Sequence, residues 1–510
     1  MSKRSRTLLL SVVALVALVG ILLALLFLLP ESPTDDDNKP LDTSVVLIDK
    51  TTDAKVSVTA AEIVLKNESY KIATTEENKI FYIEGYEALP LDFYSLNELG
   101  ETLLSVTASK KVVDNAENLS DFGFATDGGC YAKINVSYSD KTSFAFEVGN
   151  LSPNGEEYYC RPKDSKTIYL LDSSFVETAA APSTSYLSRA LFTAPDAENE
   201  TDQVAVKSVT LGGSVRKDVI SFYNNGRENA GNDNVVLSGF YLTKPYSHAV
   251  NSKTPLISVG TFSSAMASGV AKIFPSAADL KKYGLADPYS RCVVELSIQR
   301  TTVSGIGDDK TTTISFHNTF ENTLLLGNKN EAGDYYALAI VEGEVTPLVY
   351  TVSPESVPWA ETQYDEIADP LLFFEYIYNL DGMDITVDGN THNFHFAHDA
   401  EAEDTDKKLT VTAGGKQYNT PDFRTLYTWL ISIYRNGSVD KAPNTEPLLT
   451  FTIRPLDKTK KPQIIRLYTY SAGKCVAQHE TGEVFLVDAK NVNLFVSNYR
   501  HYIKGEAIIP

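Results

Sequence analysis

Cysteine is scarce in this chain, four among 510 residues, which excludes a disulfide-stapled scaffold and leaves folding to apolar cores. Positive charge is scarce too: 45 Lys and Arg stand against 66 Asp and Glu, a net charge of −21. Nucleic acid needs a basic face for its phosphates, and anionic lipid needs one as well, so neither is the partner of the body of the protein. The strings that announce common chemistries are also missing. There is no G-x-S-x-G elbow, no phosphate-binding glycine loop ending in Lys-Ser or Lys-Thr, and no D-x-D-x-D-G calcium loop. Apolar residues make up 43%, enough for real cores, so wholesale disorder is excluded and the length implies two to four domains.

A long apolar run, by contrast, is present. Thr7 to Leu29, TLLLSVVALVALVGILLALLFLL, carries no charge, and as a helix it reaches about 34 Å, against a hydrocarbon core of about 30 Å. Lys3, Arg4 and Arg6 precede it, while Glu31, Asp35, Asp36 and Asp37 follow. Positive charge marks the cytoplasmic side, so the span is expected to be a single-pass anchor with the bulk of the chain extracytoplasmic. A cleaved signal peptide is the rival reading. It usually has a shorter apolar core and a small-x-small cleavage site, whereas this run ends in Leu25, Leu26, Phe27, Leu28 and Leu29. The stretch behind it, PESPTDDDNKP from Pro30 to Pro40, has no aliphatic side chain and reads as an extended, solvated linker.

Internal repetition organises the rest. Leu119 to Ala125, LSDFGFA, and Leu280 to Ala286, LKKYGLA, place a leucine, an aromatic, a glycine and an apolar residue at the same offsets. Downstream, Cys130, Ala132, Ile134 and Val136 alternate as a strand face, as do Cys292, Val294, Leu296 and Ile298, so the two cysteines are read as equivalent core thiols. Cys160 lies one hairpin from Cys130, and oxidation of that pair stays open. A third copy, without the leucine-aromatic-glycine turn, includes LLTFTIRP (448–455), PQIIRLYTY (462–470) and GKCVAQHETGEVFLVDAKNVNLFV (473–496), the last ending in a short apolar segment.

Each copy is expected to carry one principal helix. Ser95 and Glu98 form an S-x-x-E box ahead of Leu99, Leu103 and Val106; Thr261 to Phe274 has Phe262, Met266, Val270 and Ile273 on one side. In the third, Thr420 caps and Pro421 opens a helix with Phe423, Leu426, Tyr427, Leu430, Ile431 and Tyr434 on its apolar face. Asp388-Gly389 and Gly414-Gly415 read as hairpin turns. The expected fold is α+β: tandem repeats of mainly antiparallel sheet with one principal helix per repeat, behind a transmembrane helix. The expected boundaries are 1–6 cytoplasmic, 7–29 anchor, 30–42 linker, and repeats at 43–200, 201–370 and 371–510.

The basic start, the apolar helix and the L-x-x-Y-G-L-x-x-P turn at Leu280, Tyr283, Gly284, Leu285 and Pro288 together resemble the bacterial domain-of-unknown-function family 4340. The first copy departs from that pattern, with Phe122 and Phe124 around Gly123 and no proline after. The resemblance covers most of 43–370 and thins beyond. Members are often encoded beside an ABC transporter and gliding-motility auxiliary components, so the resemblance implies an accessory role at the membrane. It brings no catalytic residues with it.

Several motifs suggest chemistry and fail on context. Asp121-Phe122-Gly123 spells a kinase tripeptide, but the second copy has Lys282-Tyr283-Gly284 there, so the glycine is read as the end of a short helix. His392, His395 and His398 follow a hairpin turn and alternate with Phe394 and Phe396. On a strand His395 faces away, and His392 and His398 stand about 20 Å apart, beyond one ion. His479-Glu480-Thr481-Gly482-Glu483 begins like a zinc-protease motif but lacks the second histidine, and its glycine belongs to a turn. No catalytic, cofactor-binding or metal residue is therefore assigned. The expected function is a membrane-anchored accessory or scaffold protein, with a module binding a cell-wall glycan or a transported substrate as the alternative.

Overall fold

The structure is a computed structural model. It describes residues 43–75, 80–124, 129–199, 202–224, 239–304, 311–373, 375–399, 401–402 and 408–509. The apolar span 7–29 and the linker 30–42 lie outside the described residues. Among the described residues no helix is long and apolar enough to cross a membrane. The chain forms two compact units, Met1–Glu84 with Phe93–Pro182 and Gly85–Asp92 with Ser183–Pro510. The class is α+β, mostly antiparallel sheet with a few helices.

In the first unit the strands are β1 (Val45–Asp49), β2 (Val58–Leu65), β3 (Ser69–Thr74), β4 (Phe81–Ile83), β5 (Ser105–Ala108), β6 (Lys110–Val113), β7 (Ala132–Tyr138), β8 (Ser143–Leu151), β9 (Glu157–Pro162) and β10 (Ile168–Asp172). Strands β1 and β5 pair alone; the others form a sheet ordered β4-β3-β2-β7-β8-β9-β10-β6. Helix α1 (Phe93–Thr102) precedes β5, and α2 (Ser173–Ala179) follows β10, capped by the Asp172 side chain. Alternation builds the core: Ala61 and Ile63 face inward opposite Val136 and Ile134.

The second unit holds two sheets. One contains β11 (Gln203–Gly212), β12 (Ile220–Asn224), β13 (Phe240–Lys244), β14 (His248–Ala249), β15 (Gly269–Ile273), β16 (Ser290–Ser304), β17 (Thr311–Lys329), β18 (Tyr335–Val341), β19 (Glu344–Val345) and β20 (Leu348–Val352). Its order is β14-β13-β12-β11-β16-β17-β18-β20-β15, with β19 on β18. The other contains β21 (Leu380–Val387), β22 (Asn390–His398), β23 (Leu409–Ala413), β24 (Lys416–Gln417), β25 (Arg435–Ser438), β26 (Leu449–Pro455), β27 (Gln463–Thr469), β28 (Lys474–His479) and β29 (Val484–Asp488). It runs β24-β23-β22-β21-β26-β27-β28-β29-β25.

The three large sheets share one order. A meander comes first, then an outlying strand, then a second meander; the first strands of the two meanders pair, and the outlying strand joins the far edge. A register shift falls at the same place in each, between Val58 and Ala60, Val206 and Ser208, and Leu380 and Gly382. The short helices α3 (Val259–Ser263), α4 (Ala277–Lys282) and α5 (Tyr364–Ile367) belong to the second unit. So do α6 (Thr420–Ile431) and α7 (Ala489–Lys504), which share a core with the third sheet through Phe423, Leu426, Phe495 and Tyr499 against Phe394 and Phe451.

Within the second unit the segments 186–192 and 367–373 are alike. Leu187 bridges Leu91 and Ala190 bridges Met266; Ala368 bridges Val250 and Leu371 bridges Tyr434. The Ala267 N–H donates to Arg189 O at 2.8 Å, and the Arg435 N–H to Pro370 O at 2.6 Å. Each connector is thus pinned on both sides by isolated β-bridges.

The leucine-aromatic-glycine turn is structural in both places. Gly123 and Gly284 sit at φ 88° and 75°, and the following N–H groups of Phe124 and Leu285 reach back to Leu119 and Leu280. The hairpin turns Asp388-Gly389 and Gly414-Gly415 all have positive φ, as a tight twisted hairpin demands.

Five expectations need correction. Thr261–Phe274 is not one helix: α3 ends at Ser263, where the Ser264 hydroxyl bonds back to Gly260 O, and Gly269–Ile273 pairs with β20 as β15. Ser95 lies inside the first turn of α1, which starts at Phe93, so it is not the cap. Asn419, not Thr420, caps α6, its side chain accepting from Asp422 N at 2.9 Å. Cys130 and Cys292 are not equivalent: Cys292 pairs with Leu211 and Leu324, the place Ile134 takes between Ile63 and Phe146, whereas Cys130 precedes β7. Alternation gives the face of a strand but leaves its register free by two residues. All four cysteines are free. The segment after β29, read as short, is the sixteen-residue α7.

Candidate functional site: a buried charge cluster

Five elements of the second unit bring charged and ring side chains together. Glu483 stands in the tight turn between β28 and β29, closed by the Gly482 N–H to His479 O at 3.0 Å and the His479 N–H to Glu483 O at 2.9 Å. Gly482, at φ 92°, permits that turn, and its closure aims Glu483 inward, 1% exposed. The Arg435 guanidinium comes from β25. It pairs with Glu483 and with Asp365 Oδ1 at 2.7 Å, its own side chain 5% exposed. From α5, the Tyr364 hydroxyl donates to Glu483 Oε1 at 2.8 Å. His248, on the two-residue β14, places Nδ1 3.8 Å from Glu483 Oε2, and its Nε2 lies 3.0 Å from Asp369 O on the connector.

Aromatic rings shape the space around the cation. The Arg435 guanidinium carbon lies 4.1 Å from the Phe485 ring centroid and 5.3 Å from that of Tyr364. The His479 ring is 6.0 Å from the His248 ring and 5.7 Å from that of Phe485. Three buried atoms, Arg435 Nε, His479 Nε2 and Glu483 Oε2, have no hydrogen-bond partner.

Electrostatics follow from this packing. Burial disfavours the Glu483 carboxylate, but His248 and Arg435 outweigh it and hold the group below the usual carboxylate range. Burial pushes the His479 ring down to about 4, reinforced by His248 and Arg435 against the opposing pull of Glu483. Burial pushes the Tyr364 hydroxyl and the Asp369 carboxyl up. The cluster therefore holds two carboxylates, Glu483 and Asp365, on one guanidinium. Breaking a buried pair by removing one partner typically costs about 3–5 kcal/mol.

The residues singled out in the sequence divide. His479 and Glu483 come together here, within the turn expected for Gly482, though not as metal ligands beside a second histidine of that motif. His392, His395 and His398 do not meet: all lie on β22, with His395 exposed. His392 Nδ1 lies 3.0 Å from the Tyr499 hydroxyl, and His398 Nε2 lies 2.7 Å from Leu380 O. Asp121 sits in the turn Leu119–Phe122, taking a hydrogen bond from Asn118 Nδ2 at 2.7 Å. Among the described residues no group of three His, Cys, Asp or Glu is arranged to hold a metal ion. Sequence reasoning missed His248, Tyr364, Asp365 and Arg435, which carry no motif and are joined only by the sheet order.

The turn at Leu280–Pro288 closes the stretch that matches a known family, described as "Domain of unknown function (DUF4340)", over residues 82–288. Residues 82–288 belong to the DUF4340 family. That stretch opens in β4 and ends just before β16, so it contains His248 but none of Tyr364, Arg435, His479 or Glu483. The DUF4340 match therefore assigns no role to the cluster. No curated protein and no solved structure matches the chain.

Proposed function

We propose that this chain is a single-pass, membrane-anchored extracytoplasmic accessory or scaffold protein that works with an ABC-type transport system and carries no catalysis of its own. The observation that carries this reading is the recurrence of one sheet order, with its register shift, in three large sheets. Such recurrence fits tandem copies of one α+β unit, at 43–200, 201–370 and 371–510, which multiply surface for protein partners. The apolar span 7–29 behind Lys3, Arg4 and Arg6 supports the tether. The DUF4340 membership of residues 82–288 is consistent with the accessory role.

A module for a cell-wall glycan or a transported substrate is the second reading. It is favoured by Tyr223 and Tyr241, cross-strand neighbours on β12 and β13 that are 43% and 42% exposed, because flat aromatic faces suit sugar rings. Purification from crosslinked membranes separates the two: transporter subunits support the scaffold, and wall fragments support the glycan module. Protease added to cells with a permeable envelope should remove the body. Full protection would reverse the proposed topology, and release into the medium would mean that the span is cleaved.

A further inference from the structure

We propose that the contact between the second and third sheets is an acid-released latch, in which protonation of His479 and Glu483 breaks the Arg435–Glu483–Tyr364 network and frees the β28–β29 turn from the connector at 367–373. The latch would operate whatever the chain binds.

The geometry brings the two sheets together at this point. His248 lies on the last strand of the second sheet's first meander, and Tyr364 and Asp365 lie between the sheets on α5. Arg435, His479 and Glu483 all come from the third sheet's β25 and β28–β29 edge. The Glu483 carboxylate joins all three sources through Tyr364, Arg435 and His248. Protonating it removes the negative charge that Arg435 and His248 face and leaves Tyr364 and Arg435 bonded to a neutral oxygen, a weaker acceptor.

His479 reinforces this from the same turn. The groups facing it are Glu483 ahead of β29, His248 on β14 and Arg435 on β25, with the Leu372 backbone on the connector. Asp369, Tyr364 and Asp365 complete the surroundings through their contacts with His248, Glu483 and Arg435. An imidazolium at His479 would sit buried beside a guanidinium and a second histidine, and the carboxylate facing it, Glu483, is already engaged.

The sign is the same for both groups. An undocked histidine takes up a proton near its ordinary value of 6.5, whereas docked His479 does so only near 4. Docking therefore weakens as pH falls across that interval. Glu483, held below its ordinary range, contributes stability above that range and loses it as pH falls through its docked value. At about pH 5 the His479 contribution alone favours opening by about tenfold or more.

Hydrogen–deuterium exchange on the purified full chain in detergent, corrected for the intrinsic pH dependence of exchange, reads this directly. Peptides covering 367–373 and 479–484 should open at least about tenfold more often at about pH 5 than at about pH 7.5, while the β16 core stays unchanged. His479→Phe, and independently the non-titrating His479→Gln, should flatten most of that response. Equal protection of the two peptides at both pH values, or an undiminished acid response in a folded His479 variant, would overturn the latch. The wild-type comparison decides the matter even if neither variant folds.

Discussion

Gly284 packs directly against Asn328: a Cβ on the glycine would stand 2.6 Å from Asn328 Oδ1 and 2.9 Å from its backbone nitrogen. The contact is reciprocal, because the Asn328 N–H donates to Tyr283 O at 2.8 Å and its Nδ2 to Lys282 O at 3.2 Å. In the first unit Gly123 stands in the same way against Asn150, where a Cβ would lie 2.4 Å from the backbone nitrogen. The turn thus clamps the end of a long strand as well as closing a short helix.

Gly284→Val should therefore destabilise the second unit by about 2 kcal/mol or more, from backbone strain plus the clash with Asn328. Gly333→Ala is the control, since Gly333 has φ 92° but nothing within 4 Å of an added Cβ. Its loss should stay near 1 kcal/mol, about the cost of the backbone conformation alone. Thermal melts of the two variants compare them. Equal losses would mean that the Asn328 clamp contributes nothing.

Arg435→Met leaves the Glu483 carboxylate buried without its cation and should lower the unfolding free energy by about 3–5 kcal/mol. Adding Glu483→Leu to that variant should recover a large part of the loss, because the fully buried carboxylate is then gone and only the partly exposed Asp365 is left without the guanidinium. Denaturant unfolding of the single and double variants gives the coupling. Strict additivity would show that the two side chains do not act as a pair.

Asn322, 1% exposed on β17, holds the segment after the first connector: its Oδ1 accepts from Thr193 N at 2.7 Å and its Nδ2 donates to Thr193 O at 2.9 Å. Asn322→Ala would strand both backbone groups and should cost about 1–3 kcal/mol. Limited proteolysis near residue 193 should quicken in parallel. A neutral substitution would mean that water replaces the amide at no cost.

Elemental analysis of the purified full chain should find no stoichiometric zinc or calcium, and His392→Ala with His398→Ala should leave the metal content unchanged. One ring nitrogen of each is engaged, His392 Nδ1 by the Tyr499 hydroxyl and His398 Nε2 by Leu380 O. One zinc per chain would require a donor set that the described residues do not assemble.

Much of the strand pattern was legible because period-two alternation and glycine turns are local signals. Asp388-Gly389 and Gly414-Gly415 mark their hairpins, and the Leu448–Pro455 and Pro462–Tyr470 stretches fall on β26 and β27. The failures come where a non-local partner decides. Val270 and Ile273 fit a helical face by spacing, yet the free edge of β20 claims them as a strand. Helix α7 was written plainly enough in Val492, Phe495, Val496, Tyr499 and Tyr502, spaced for one buried stripe, but the third copy was expected to end there in a short segment. The charge cluster left less trace. Glu483 lies in a turn that was legible, but its partners Tyr364 and Arg435 lie far off in sequence, and only the pairing of the connector beside β25 brings them near.

That connector also sets a timetable. The residues from Ile367 to Leu372 hydrogen-bond to Ala249 and Asn251 behind them and to Ile433 and Arg435 ahead. In a chain that emerges N-terminus first, the backward pairs can close as soon as the second sheet is made. The forward pairs must wait until α6 and the start of β25 have followed, so one side of the connector stays open in the interim. A partner has access to that side before Ile433 and Arg435 arrive, without having to break any of these backbone pairs.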